Sequence, residues 1–140
     1  MADGESVRVA VRVRPFNGRE KERNAGLCVR MSDKSTTLIN PENQQEKTFT
    51  FDYSYWSHDG ESTRPDGYNE SAGPGMGTGG ATYADQMKVY SDLGQGVLNN
   101  AYEGFNSCLF AYVRCDLSES TGLFLTINFG AGSNWSREIL

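Results

Sequence analysis

The sequence predicts an α/β fold that includes a small antiparallel meander. Three observations predict it. Val7, Val9, Val11 and Val13 alternate with Arg8, Ala10, Arg12 and Arg14, which is the period-two signature of a strand. Short β-rich runs separated by turn residues follow over 27–51. Further on, a helical pattern leads directly into the apolar run Cys108–Val113, and strand, helix and strand in series point to an α/β layer.

The first strand is expected to bury its four valines on one face. Its other face carries arginines that must reach water, a carboxylate or an anionic ligand. Pro15 closes it, having no N–H to give the ladder. Residues 17–24 read as a charged loop. Leu27–Met31, Thr36–Ile39 and Lys47–Phe51 read as strands, with turns at Ser32-Asp33-Lys34 and Asn40-Pro41-Glu42-Asn43. Between residues 57 and 81 lie seven glycines, Pro65 and Pro74, so this stretch is expected to be a long mobile surface loop. Thr82 with Asp85 resembles a capping box. Tyr90, Leu93, Val97 and Ala101 then follow at helical spacing. Gly94 and Gly96 weaken that helix by about 1 kcal/mol each relative to Ala. Gly104 suits the left-handed position that ends it. Cys108–Val113 is expected to be a buried strand parallel to Val7–Val13. Leu123, Leu125, Ile127 and Phe129 alternate with Phe124, Thr126 and Asn128, which permits a strand.

The 140 residues fit one domain. Thirteen Lys and Arg against eighteen Asp and Glu leave a net charge of −5, which argues against a general nucleic-acid binder. No stretch approaches the ~18 apolar residues of a membrane span. The start Met-Ala-Asp-Gly-Glu-Ser lacks the apolar core of a secretory signal. The chain is therefore read as cytoplasmic, with Cys28, Cys108 and Cys115 as reduced thiols. With no C-x-x-C pair and a lone His58, no metal site is expected.

Gly75–Gly80 satisfies G-x-G-x-x-G, but no strand leads into it, so it reads as a chance match in a glycine-rich loop. Asn69-Glu70-Ser71 and Asn134-Trp135-Ser136 fit the glycosylation sequon, which acts only in a secretory compartment. Arg12-Val13-Arg14-Pro15 has two readings. It is a solvated strand face, or it holds an anionic or aromatic group, because a guanidinium stacks on rings and donates in a fork. One histidine supports no catalytic triad.

Val7–Asn17 resembles the opening strand of a kinesin motor domain. Phe49–His58 is similar to the matching segment of the third kinesin subfamily, the vesicle-transporting motors, and Val97–Tyr112 to the helix and strand leading into the family's nucleotide loop. The resemblance implies the N-terminal portion of a P-loop kinesin motor domain, with a mixed central sheet, over residues 1–112. The flexible loop at 57–81 and a divergent tail at 113–140 fall outside the resemblance. It further implies ATP and Mg²⁺ as cofactors, microtubules as partner, a cytoskeletal location, and nucleotide-binding roles for Arg12, Arg14, Pro15 and Tyr112. The family continues with a P-loop, Gly-Gln-Thr-Gly-Ser-Gly-Lys-Ser or close to it. Here residues 113–120 read Val-Arg-Cys-Asp-Leu-Ser-Glu-Ser. The glycines that let backbone N–H groups curl around phosphates are gone, and Glu119 stands where the family has its lysine. Only Ser120 coincides with the magnesium-ligand position. The resemblance places the switch motifs, tubulin-binding elements and neck past Leu140. Two readings follow: a microtubule motor by lineage, or a catalytically inactive isoform or gene-model fragment acting at most as an interaction module.

Overall fold

The computed structural model describes residues 7–114 and 123–129. The central sheet has four strands. They are β1 (Arg8–Val13), β5 (Tyr53–Trp56), β8 (Cys108–Arg114) and β9 (Leu123–Phe129), in the order β5-β1-β9-β8. β1 pairs parallel with β5 and antiparallel with β9, and β9 pairs antiparallel with β8. The sheet is thus mixed, and β1, β5 and β8 all run the same way. A second sheet is the expected antiparallel meander of β2 (Val29–Ser32), β3 (Ser35–Ile39) and β4 (Glu46–Thr50).

Both faces of β1 are covered. Val11 and Val13 pack with Val29, Met31 and Trp56 beneath the meander. Ala10 packs on the opposite face with Tyr55, Ala84 and Leu93. The expected four-valine face is therefore only partly realised. Val7 precedes the strand and is 50% exposed, while Ala10 is buried. A strand covered on both sides buries small residues on its second face as well.

Three local expectations change. Residues 17–24 are not simply a loop, since Gly18–Glu22 forms a short helix, α1. Asn17 caps it, and Glu20 returns a bond to the Asn17 N–H, completing a capping box. The stretch 57–81 carries regular structure. It holds a hairpin of β6 (Glu61–Thr63) and β7 (Asn69–Ser71), then a 3-10 turn at Thr78–Gly80. Asp59 fastens the two ends of this excursion. Its carboxylate accepts from Trp56 Nε1 and from the Thr78 N–H, each at 2.8 Å, and also from the Thr78 hydroxyl. Gly77 lies so close that a Cβ there would sit 2.7 Å from Trp56 Nε1. Finally, the capping box expected at Thr82 is displaced. Asp85 is the N-cap of α2 (Gln86–Val89), accepting from the Lys88 N–H, while the Thr82 hydroxyl accepts from the Gly75 N–H.

The helix past α2 widens into a π-turn at Tyr90–Gly94 and continues as α3 (Gln95–Tyr102). It ends as expected. Gly104 has φ +84°, its N–H reaches Ala101 O, and the Phe105 N–H reaches Asn100 O, which together form a Schellman motif. Its apolar stripe is not buried throughout. Leu93 is in the core and Val97 is half-buried, but Tyr90 and Ala101 are exposed.

β8 departs from expectation in two ways. It keeps the direction of β1 but is separated from it by β9. It is also not buried, with Leu109 48% exposed. Among the described residues β8 is the last strand on its side of the sheet, and only one of its edges is paired. The strand permitted by the alternation at 123–129 forms, and it fills the position between β1 and β8.

Candidate functional site

The carboxyl ends of parallel strands in an open α/β sheet face a crevice where ligands bind. In this chain the ends of β1, β5 and β8 open on the same edge. Val11, Leu125 and Tyr112 share one rung, and Val13, Leu123 and Arg114 the last one. The segment leaving β1 here is Arg14-Pro15-Phe16-Asn17, and that leaving β5 is Ser57-His58-Asp59.

Arg12 lies on the Ala10 face and is bound by its neighbours. Its Nε donates to Ser57 Oγ at 2.8 Å. Its two terminal nitrogens donate to Gln86 Oε1 at 2.8 Å and to Ala84 O at 3.3 Å. The Ser57 hydroxyl donates in turn to Ala84 O at 2.6 Å. Arg12 thus ties β1 to β5 and to the start of α2.

Arg14 is held on other partners. Its guanidinium forks onto Glu20, each terminal nitrogen 2.8 Å from one carboxylate oxygen, and it also donates to Pro15 O at 2.8 Å. Glu20 further accepts from the Asn17 N–H at 2.6 Å, while Asn17 Oδ1 accepts from the Glu20 N–H at 2.9 Å. Glu20 is buried, and a buried carboxylate needs such partners. The Arg14 hydrogen bonds hold its carboxyl below the usual range; burial opposes this and the Asn17 N–H adds to it.

His58 closes the turn from the β5 side. Its Nδ1 lies 3.1 Å from Arg14 O, an acceptor, so the bond requires the proton on Nδ1. Its ring meets Phe16 edge-on at 4.5 Å and Trp56 at 5.6 Å. Pro15 is exposed beside this pair, with Phe16 and His58 half-buried. The result is a small apolar and aromatic surface on a turn fixed from three sides.

The four residues singled out in the sequence are therefore not one cluster of side chains. Arg12 and Arg14 serve separate networks, Pro15 is open to solvent, and Tyr112 stands two strands away from β1. The Tyr112 side chain lies outside the described residues, as do Cys115, Glu119, Ser120 and Asn134. Asn17, Glu20, Ser57 and His58 were not singled out. The spacing Asn17-x-x-Glu20 was a usable capping signal, whereas nothing local marks Ser57 or His58.

The glycine-rich match at 75–80 is not a phosphate cradle. The N–H groups of Gly75, Gly77, Thr78 and Gly80 are bonded to Thr82 Oγ1, Ala81 O, Asp59 Oδ1 and Gly77 O respectively. Donors already spent within the segment cannot turn to a pyrophosphate. Among the described residues, no three of His, Cys, Asp and Glu are grouped to hold a metal ion, and no helix is long and apolar enough to cross a membrane. Ser120, which the resemblance puts at the Mg²⁺-ligand position, lies outside the described residues.

The family model described as "Kinesin motor domain" matches residues 12–115. Kinesin-like protein KIF1A of Rattus norvegicus is 46% identical over 119 residues, covering 84% of this chain and 6% of that relative. Kinesin-like protein KIF1B of Homo sapiens is 44% identical over the same length, with the same shares. Kinesin-like protein KIF28 of Mus musculus is 39% identical over 127 residues, 90% of this chain and 12% of the relative. The chain thus spans only a small part of each. Among solved structures, a KIF14 chain with ADP in complex with a microtubule is similar at TM-score 0.50 and 34% identity, covering 69% of this chain and 22% of that one. An Arg-x-Arg-Pro segment at the carboxyl edge of a mixed sheet, and a family match over residues 12–115, lead to one conclusion: the chain belongs to the kinesin motor domain family.

Proposed function

We propose that this chain forms the base-binding side of a kinesin nucleotide pocket and does not itself hydrolyse ATP. We assign the motor-domain part to residues 1–112 and a tail to 113–140, with the family match itself running on to residue 115. Pro15, with Phe16 and His58 behind it, is the surface that meets the adenine ring. Arg14 acts by holding that turn in place, Arg12 by tying β1 to Ser57 and the start of α2, and Tyr112 belongs to β8 at the same edge of the sheet. Microtubules and the cytoskeleton are the partner and location that the lineage suggests. For this chain, both are proposals.

The observation that carries the inactive reading is the octapeptide 113–120. Phosphoryl transfer depends almost wholly on positioning and charge stabilisation by the P-loop, its Lys and Mg²⁺. Val-Arg-Cys-Asp-Leu-Ser-Glu-Ser has no glycine and no lysine, and places Glu119 where a polyphosphate would need a cation. A base surface without a phosphate cradle binds nucleotide weakly and gains little from the phosphates. ATP supplies a phosphoryl group for transfer when bound in this family.

Steady-state phosphate release, measured with and without microtubules, tests this. Release at the buffer rate in both conditions is expected. Stimulation clearly above buffer would overturn the inactive reading.

A further inference from the structure

Glu20 is a buried carboxylate that no part of the family resemblance assigned. It sits on a five-residue helix that serves little purpose as a core element, since Glu20 is its only buried residue. What Glu20 touches is the turn. Both of its oxygens take the Arg14 fork, one also takes the Asn17 N–H, and the Asn17 side chain caps Glu20 in return. The two residues between Arg14 and Asn17 are Pro15 and Phe16, which carry the exposed surface. The Arg14 carbonyl is fastened from the other side by His58.

We infer that Glu20 is a positioning residue which, through Arg14 and Asn17, fixes Pro15, Phe16 and His58 as one platform for a planar heterocyclic base. This rests on the nucleotide reading above and adds a residue and a division of labour to it. Arg14 is not offered to the ligand. It is a strut between Glu20 and the Pro15 carbonyl. A bidentate guanidinium–carboxylate pair fixes orientation as well as distance, which a lysine in the same place does not. Fixing a turn before the ligand arrives lowers the ordering cost of binding. The ligand contact lies on the ring, so the phosphates should not feel the change.

The full-length chain and its Glu20→Gln and Arg14→Lys variants test this by two readouts. The first is affinity for adenosine and for ADP. Both should weaken by the same factor, about threefold to tenfold. The second is the NMR resonance of the ring of His58, the only histidine in the sequence, which reports the aromatic contacts directly without ligand. It should move in both variants. If the variants melt earlier but keep the His58 resonance and base affinity of the parent, Glu20 only caps a helix and the inference is wrong. If ADP weakens while adenosine does not, the platform assignment is wrong. If the parent chain binds neither ligand, the nucleotide reading fails, and the His58 resonance alone decides whether Glu20 positions the turn. Should Glu20→Gln not fold, Arg14→Lys carries both measurements.

Discussion

Glu20 and Gly77 show how much single residues hold at the sheet's carboxyl edge. The Glu20 carboxyl is held below its ordinary value of 4.5, chiefly by Arg14. A group with a depressed folded pKa stabilises the fold above its unfolded pKa and loses that contribution as pH falls through the folded one. Hydrogen bonds to a charged group are worth about 1.5–3 kcal/mol each. We therefore expect Glu20→Gln to lower the melting temperature at neutral pH. The gap to the parent should close as pH falls below 4.5. Thermal melts across pH 3–8 check this, and a gap that stays constant into acid would contradict it. Gly77 works by absence. Its missing side chain lets the chain pass against the Trp56 indole and Ala81 O. Gly77→Ala should cost roughly 1–3 kcal/mol through forced displacement. Denaturant unfolding followed by tryptophan fluorescence measures it, and a neutral effect would show that the Asp59 fastening is slack.

At the scale of elements, the helix after Asp85 carries the clearest conflict between propensity and place. Gly96 lies in α3 with open space around its Cα. Nothing there requires a glycine, so Gly96→Ala should stabilise the chain by about 0.5–1 kcal/mol. A melting temperature unchanged or lowered would indicate that this helix needs the flexibility. Gly94 differs, since a Cβ there would meet the Tyr90 ring at 2.8 Å. The π-turn that contains Gly94 brings Leu93 into the core and Asp92 to the Tyr55 hydroxyl at 3.0 Å. Burial and that bond together push the Tyr55 phenol well above its usual range. The helix stripe was legible by spacing, but the π-turn was not. Leu93 in that turn packs against Ala10, Tyr55 and Ala84, all outside the helix, so its neighbours cannot be read from the helix's own sequence.

For the whole molecule, the sheet's end at β8 decides behaviour in solution. β8 closes the order β5-β1-β9-β8 with one edge unpaired among the described residues, and Leu109 is exposed on it. The run Cys108–Val113 has no charge, proline or glycine to blunt it. Such an edge is a template for a second chain. Size-exclusion chromatography at rising concentration should show larger species, and Leu109→Lys should shift them toward monomer. A parent chain that remains a monodisperse monomer with a cooperative transition above about 50 °C would show that β9 already completes a self-sufficient sheet.

The sequence by itself determined the segments whose signal is local. The period-two valines made β1, the spaced turns made the meander, and Gly104 ended α3 in a left-handed residue. Its ordered blocks from Val7 to Tyr112 also determined the family. Only the tertiary structure decided who stands beside whom. Arg12 reaches Ser57 and Gln86 across 45 and 74 positions of chain, and neither partner carries a mark in its own neighbourhood. Likewise, alternation at 123–129 allowed a strand but could not say that it would enter between β1 and β8. Backbone conformation is fixed by a window of a few residues. Sheet order and burial depend on contacts whose partners are distant in sequence, and many partners satisfy the same local pattern.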